Sequence, residues 1–481
     1  MYYLKMLIDG QLVDSISGDA TVIHNPANQE PIAEVPVGRR EDVRLALNAA
    51  QRAFPKWAET TSQRRGEILH EGARLVRQRI GEIARLLTLE EGKPLKQAKR
   101  EVLSSANALD YYAEEGKRNF GEWVPTESRQ TRSLVIKQPI GVAAIITPWN
   151  YPVDLLAWKV GPALAAGCTV VAKPSSKAPL AATAFAQAVN DAGTPAGVVN
   201  VVHGSGREVG AELVENPTSR KIAFTGETDT GRWIMEHAAQ HIKRISLELG
   251  GQSPFIVCKD ASIDDAVESC VQRAFSNMGQ ICISVNRIYV ADEIADEFIS
   301  KFVDRTVELK IGDGLDPDVD LGPMFNEAQR QKTQEHIADA LGKGAKVLCG
   351  GHEPEGEEYK RGFFFLPTVL SHANHTMRVM REETFGPVAP VMRFKTLDDA
   401  LRLANDTRYG LAAYIFTNDL TTAIYAAERL EAGGIGVNVN SVIETQAPFG
   451  AWKLSGFGHE RAHYGLEEYL EIKHIRFGLV R

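Results

Sequence analysis

The run Gly141-Val142-Ala143-Ala144-Ile145-Ile146-Thr147 is apolar at every interior position and stops at Pro148. A strand with one wet face alternates apolar and polar residues. One with no polar side has to be covered on both faces, which is the condition of a parallel sheet between two layers of helix. Further strands are expected at 169–172, 198–202 and 222–224, with helical segments such as 181–192, ended by Gly193, between them. A strand-helix-strand period of about 25–30 residues predicts an α/β fold with a doubly wound parallel sheet. A second α/β stretch begins near 254–257 and continues through 287–290 and 412–416, with helices expected at 264–276, 295–309 and 327–341.

The chain has 481 residues, more than one hydrophobic core usually spans, so two or more domains are expected. A net charge of -8 without any basic block argues against nucleic acid as a partner. No apolar run approaches the roughly 20 residues of a membrane span, and the first thirteen residues alternate around Asp9-Gly10 as a hairpin does, unlike a secretory signal. A cytoplasmic location with no membrane partner is therefore expected. Five scattered cysteines make no disulfide framework, and without a Cys-x-x-Cys pair or clustered histidines no metal site is expected.

Before the sheet, 20–36 reads as a small β element with turn signals at Asn25-Pro26 and Asn28. Val43, Ala46, Leu47, Ala50 and Phe54 share one helical face, ended by Pro55. Ile68, Leu69, Leu75, Val76, Ile80, Ile83 and Leu87 form a second face closing near Gly92-Lys93-Pro94. At the other end, 472–480 alternates as an edge strand does, and 132–137 is suited to pair with it or with another subunit's edge.

Chemistry concentrates in a few windows. Cys282 lies in Asn277-Met278-Gly279-Gln280-Ile281-Cys282-Ile283-Ser284, a small, polar, glycine-containing loop after a helix. Structural cysteines sit in apolar runs, whereas a nucleophile needs access and a polarised setting. Glu248 stands between Leu247 and Leu249 before Gly250-Gly251, an apolar setting that raises a carboxyl pKa and suits a general base. Asn150 is framed by Pro148 and Pro152 after the 141–147 strand, where its amide could meet a developing oxyanion; one such donor is worth about 3 kcal/mol in a transition state. A helix-capping asparagine reads the same way. Lys173 ends the next strand before Pro174-Ser175-Ser176-Lys177, where a dinucleotide's adenosine ribose would lie. Ser176 and Lys177 leave room and charge there for a 2′-phosphate. Gly206 and Gly210, in a glycine-rich turn after 198–202, and Phe224-Thr225-Gly226-Glu227, expected to open a helix from Gly231, are candidate pyrophosphate sites. Glu227 is an awkward neighbour for phosphate. Glu383 and Phe385, before Gly386-Pro387, offer a carboxylate and a ring for a nicotinamide ribose.

Taken together, Pro148-Trp149-Asn150, Lys173-Pro174, Phe224-Thr225-Gly226, Glu248-Leu249-Gly250-Gly251, Gly279-Gln280-x-Cys282 and Glu383-x-Phe385-Gly386-Pro387 resemble the aldehyde dehydrogenase superfamily. Pro448-Phe449-Gly450 and Lys453-x-Ser455-Gly456 extend the likeness over essentially the whole chain. The resemblance implies two parallel-sheet domains and a β oligomerisation element. These are a dinucleotide-binding domain (1–117 and 140–246), a catalytic domain (247–450) and a bridging element (118–139 and 451–481) that makes a homodimer or homotetramer. It implies that Cys282 attacks an aldehyde, that Asn150 and the Cys282 N–H hold the oxyanion, that hydride leaves to the nicotinamide, and that Glu248 activates water against the thioester. Lys159 matches a lysine near the catalytic asparagine. Ile146, Trp149, Lys173, Ser175, Gly206, Gly210, Leu249, Glu383 and Phe385 match cofactor positions. Many NAD-preferring relatives carry glutamate where Ser176 stands, so NADP is slightly favoured over NAD.

Within the superfamily the likeness is greatest to the succinate-semialdehyde dehydrogenase branch. That branch holds its substrate's carboxylate with two arginines and a serine; this chain has Trp158, Ser276 and Ile443. An anion buried without those cations would lose several kcal/mol. Tyr151, Leu155, Trp158, Ser276, Ile443 and Phe449 are therefore expected to line an apolar tunnel for a neutral aliphatic or aromatic aldehyde, with a semialdehyde as the alternative. Ser284 replaces the second cysteine of a redox switch found in some of that branch. Other readings are a CoA-acylating relative, against which Glu248 argues, and a non-catalytic protein on the same fold, against which intact Cys282, Glu248 and Asn150 argue. Cysteine hydrolysis without cofactor lacks any histidine placed to pair with Cys282.

Overall fold

The computed structural model describes residues 1–479, and two mainly parallel sheets dominate it. The first has eight strands in the order Gly456–Phe457, Arg244–Glu248, Ser219–Thr225, Val142–Ile146, Thr169–Lys173, Val199–Val201, Met6–Ile8, Gln11–Val13. Its five central strands run parallel, and antiparallel pairings close both sides. Val142 to Ile145 are fully buried, as a strand covered on both faces requires. From this central strand the chain winds outwards through Thr169–Lys173 and Val199–Val201, then returns to Ser219–Thr225 on the other side. That reversal opens a crevice between the carboxyl ends of Val142–Ile146 and Ser219–Thr225, the place where doubly wound sheets bind ligands.

The second sheet has seven strands: Lys346–Cys349, Thr368–Ser371, Val388–Phe394, Val285–Ala291, Ser253–Val257, Ala412–Phe416 and Gly434–Val437. All its pairings are parallel except the first. Gly250-Gly251, Cys282 and Glu383 to Phe385 each lie just before one of these strands, so they sit at the amino ends of this sheet. Because Arg244–Glu248 leads through Gly250-Gly251 into Ser253–Val257, carboxyl ends of the first sheet meet amino ends of the second. A third sheet pairs Leu470–Gly478 with Thr131–Pro139 and that with Glu122–Val124, all antiparallel. The expected edge strand is thus matched within this chain from Leu470; its last residue, Val480, lies outside the described residues. Trp123 and Ile472 on this sheet are 65% and 71% exposed.

Three helical expectations need correction. Pro55 does not end its helix, which runs Arg40–Glu59. Proline forfeits one backbone bond, but Trp57, 1% exposed, anchors the final turn in the core. The face from Ile68 to Leu87 belongs to two helices, Ser62–Gln78 and Ile80–Glu91, which share Arg79 as cap at ψ 11°. The Arg79–Asp191 ion pair at 2.8 Å holds that corner, and Gly92 at φ 95° ends the second helix. The helix expected from Gly231 starts earlier, at Thr228, with Glu227 as its N-cap residue. The helix Leu95–Glu115 goes beyond the expectations; its buried Ala98, Val102, Leu109 and Tyr112 keep helical spacing and pack on Ser62–Gln78 and Pro152–Ala166. No helix among the described residues is long and apolar enough to cross a membrane.

Candidate active site

The loop leaving Val142–Ile146 delivers Asn150, which is buried and held at several points. Its side-chain amide donates to the carbonyl of Gln280 at 2.9 Å. Its own carbonyl accepts from Lys93 Nζ at 2.6 Å and from Asn277 Nδ2 at 3.2 Å. Lys93 also donates to Glu101 Oε2 at 2.6 Å and lies 3.7 Å from the centre of the Tyr151 ring. The other Glu101 oxygen accepts from the N–H groups of Val153 and Asp154, in the first turn of Pro152–Ala166. Burial opposes the charge on Lys93, but Glu101 and Glu91 outweigh it and hold the ammonium above its ordinary pKa.

Cys282 follows the helix Ile263–Phe275 through Asn277, Met278 and Gly279, three successive residues at φ 50°, 58° and 67°. Such backbone costs of order 1–3 kcal/mol per non-glycine residue and clusters at functional sites. Gly279 has no room for a side chain, since a Cβ there would stand 2.3 Å from the Gly386 carbonyl oxygen. Gly251 is equally constrained, with the Cys282 carbonyl oxygen 2.1 Å from the same position. The half-buried Cys282 thiol is pushed up to about 12, by burial first and then by the carboxylates of Glu383, Glu248 and Glu460. Ser284 is occupied elsewhere, donating to the carbonyls of Arg273 and Ala274.

Glu248 closes its strand with a buried carboxyl group, and neither of its carboxyl oxygens has a hydrogen-bond partner among the described residues. Leaving such a group unpaired costs roughly 1–3 kcal/mol, which marks it for an explanation other than stability. Burial, and then Glu460, raise its pKa well above the carboxylate range, while Lys159 opposes them. Lys159 ion-pairs with Glu460 and donates to Thr225 Oγ1 at 2.6 Å.

Glu383 Oε1 accepts from the Gly251 N–H at 2.8 Å, and burial lifts this carboxyl to about 7. Phe385 sits at φ 56° with its carbonyl held by Gln329 Nε2 at 2.8 Å. Its ring meets Trp149 edge-on at 5.6 Å, and Trp149 stacks on Phe325 at 4.0 Å. Trp149, Asn150, Leu155, Thr225, Gly226, Glu227, Leu249, Cys282, Glu383 and Phe385 line one cavity of about 140 Å³. Pro148, Gly250, Gln329 and Lys332 complete it, and no local sequence signal marks Gln329 or Lys332, since both lie within an ordinary helix, Glu327–Gly342.

Other expected cofactor residues lie apart from this cavity. Ser176 and Lys177 line an open cleft of about 510 Å³ with Gly204 and Ser205, and Ser175 precedes them as the acceptor of the Lys177 N–H. Gly206 borders open space and begins a wide helical turn that ends at Gly210, beside Lys173. Lys173 is buried, and among the described residues its ammonium has one hydrogen bond, to the Pro174 carbonyl at 3.3 Å; burial lowers its pKa to about 8. Two donors of a buried cation are thus left for a ligand, as a ribose would need. Ile146 ends its strand and is the register partner of Phe224, next to last in the adjacent strand Ser219–Thr225.

Of the six expected substrate residues, only Leu155 reaches the 140 Å³ cavity. Trp158 and Phe449 pack edge-on outside that cavity, ring centres 5.5 Å apart, and Tyr151 lies under Lys93. Ser276 caps Ile263–Phe275, and Ile443 is half-buried on a loop. Arg461 was not legible as part of this region: its guanidinium stacks 3.9 Å over the Trp158 ring.

The model of the aldehyde dehydrogenase family matches residues 13–475. The chain belongs to the aldehyde dehydrogenase family. This member is 46% identical to the succinate-semialdehyde dehydrogenase [NADP(+)] GabD of Escherichia coli (strain K12), over 100% of this chain and 98% of the relative. It is 44% identical to a glutarate-semialdehyde dehydrogenase of Pseudomonas putida, over 99% and 98%. Among solved structures, an E. coli NADP-dependent enzyme superposes with a TM-score of 0.97 at 46% identity, covering 99% of this chain and 98% of the other. The fold is that of the family, and the protein is an NAD(P)-dependent aldehyde dehydrogenase.

Proposed function

We propose that this aldehyde dehydrogenase converts a neutral aliphatic or aromatic aldehyde to its carboxylic acid through a thioester on Cys282. The observation that carries the reading is the unpartnered buried carboxyl of Glu248 beside a cavity lined by Cys282 and Asn150. The Cys282 thiol first gives up its proton to solvent; the thiolate sulfur then adds to the aldehyde carbon, and the oxyanion is received by the Asn150 amide and the Cys282 N–H. Bound NADP or NAD supplies the hydride acceptor. Glu248 then takes a proton from the water that cleaves the thioester, and Lys159 with Glu460 lies behind it as a route for that proton. Lys173 and Glu383 would hold ribose hydroxyls, Ser176 and Lys177 would accommodate a 2′-phosphate, and Trp149 and Phe385 would lie beside the nicotinamide.

Residues 1–117 and 140–246 form the dinucleotide-binding domain, 247–450 the catalytic domain, and 118–139 with 451–481 the bridging element, from which Gly456–Phe457 reaches back to pair with Arg244–Glu248 at the edge of the first sheet. The exposed Trp123 and Ile472 of that element favour a homodimer or homotetramer.

The apolar ring faces of Trp158 and Phe449 support a neutral substrate, while the buried Arg461 guanidinium 3.9 Å over Trp158 is a cation that weighs toward an anion. An anionic semialdehyde is the second reading, favoured by the substrates named for the E. coli and Pseudomonas relatives. Absorbance at 340 nm with NADP or NAD and benzaldehyde, hexanal or succinate semialdehyde separates the two. Turnover of the neutral aldehydes and not the semialdehyde is expected; strong turnover of the semialdehyde alone overturns the neutral reading.

A further inference from the structure

Arg461 holds a backbone conformation that belongs to glycine. Its φ of 64° and ψ of 172° fall in a region that residues with a Cβ scarcely populate, and Ala462 follows at φ 50°. Such a pair persists only where neighbours over-determine it. Here the Gly465 N–H donates to the Arg461 carbonyl at 2.8 Å and the Ala462 N–H to the Thr445 carbonyl at 3.1 Å.

The strained backbone sends a buried guanidinium into a place where it is poorly paired. Asp154 Oδ2 is 3.7 Å away, the hydroxyls of Ser104 and Thr445 are each 3.5 Å away, and Nε has no partner among the described residues. The best-formed contact of the side chain is the face of Trp158, 3.9 Å from the guanidinium carbon. Trp158 also meets Phe449, at an interplanar angle of 63°. A desolvated cation over an indole face is a strong contact, and a planar guanidinium stacks where an ammonium does not.

We propose that Arg461 is a positioning residue that clamps Trp158 as a wall of the substrate pocket and thereby sets which aldehydes bind. The proposal rests on the reading of Trp158 as a pocket residue. A relaxed backbone at 461 would aim the side chain elsewhere, so the strain is what delivers the cation to the ring. The guanidinium supplies no charge to the reacting carbon; it holds the indole in one orientation.

The test compares KM and kcat for benzaldehyde, large enough to reach the wall, and acetaldehyde, which is not, in the full-length enzyme with NADP. Arg461→Gly is expected to raise the benzaldehyde KM about tenfold while moving the acetaldehyde KM less than about twofold. Arg461→Lys, which keeps the charge without the planar face, is expected to raise it about threefold, and it decides the matter alone if the glycine variant does not fold. Equal losses for both aldehydes, or an unchanged benzaldehyde KM, overturn the clamp. Trp158→Ala separates the two levels: an unchanged benzaldehyde KM in that variant sinks the pocket reading itself, whereas a raised one beside an unaffected Arg461→Gly sinks only the clamp.

Discussion

The Asn150 side-chain amide donates to the carbonyl of Gln280, two residues before Cys282, at 2.9 Å. This bond ties the carboxyl-end loop of the first sheet to the Cys282 loop and uses one of the two amide hydrogens. The other is free for an oxyanion. Asn150→Ala is expected to lower kcat by about 10²–10³-fold with little change in KM, measured by steady-state production of NADPH. A loss confined to KM would mean the amide only binds substrate.

Glu248 acts after hydride transfer in the proposed sequence. Glu248→Gln should still release about one equivalent of NADPH per active site in a rapid-mixing experiment, followed by turnover slowed by about 10²–10⁴-fold. Disappearance of that first equivalent would place the carboxylate in the attack step instead.

Burial first, and then Glu383, Glu248 and Glu460, push the Cys282 thiol up to about 12, which favours its protonated form. A raised thiol pKa means the thiolate fraction is about 10⁻⁴ at pH 8 and grows tenfold with each pH unit. Alkylation of the cofactor-free enzyme by iodoacetamide is therefore expected to accelerate about tenfold per unit from pH 7 to pH 10. A plateau near pH 8 would show the thiol to be already activated.

Lys93 lies in a closed buried cluster with Glu101, Glu91 and the Asn150 carbonyl. Removing the cation strands two buried carboxyl groups. Lys93→Met should lose about 3–5 kcal/mol in chemical denaturation, with part of it recovered in Lys93→Met/Glu101→Gln. A loss below about 1 kcal/mol would show that the carboxyls simply take up protons.

Ser176 faces the open cleft beside Lys177. A carboxylate there would repel a 2′-phosphate and bind ribose hydroxyls. Ser176→Glu is expected to lower kcat/KM for NADP at least about tenfold and to raise it for NAD. Unchanged preference would move the phosphate site away from this turn.

The strands and the candidate Cys282 loop were legible because their signals are short-range. The unbroken apolar run at 142–146 predicts a strand buried on both faces, and the structure places it at the centre of its sheet. Likewise the turn Asp9-Gly10, with both residues at positive φ, makes the hairpin its sequence suggests. Pro55 misleads for the opposite reason: the helix continues through it because Trp57 is buried by the fold, a fact no neighbouring residue encodes.

The sequence by itself therefore determined the two-sheet architecture, the family, and the identity of Cys282, Glu248 and Asn150 as candidates, since strand periodicity, turn chemistry and motif spacing act over a few residues. Tertiary structure alone decided which charges meet. It brings Lys93 to the carbonyl of Asn150 across 57 residues, Glu460 to Lys159 from the far end of the chain, and Arg461 onto Trp158. Protonation follows from those meetings, because a carboxyl or thiol takes its pKa from burial and from neighbours in space, and both exist only once the sheets have closed on each other.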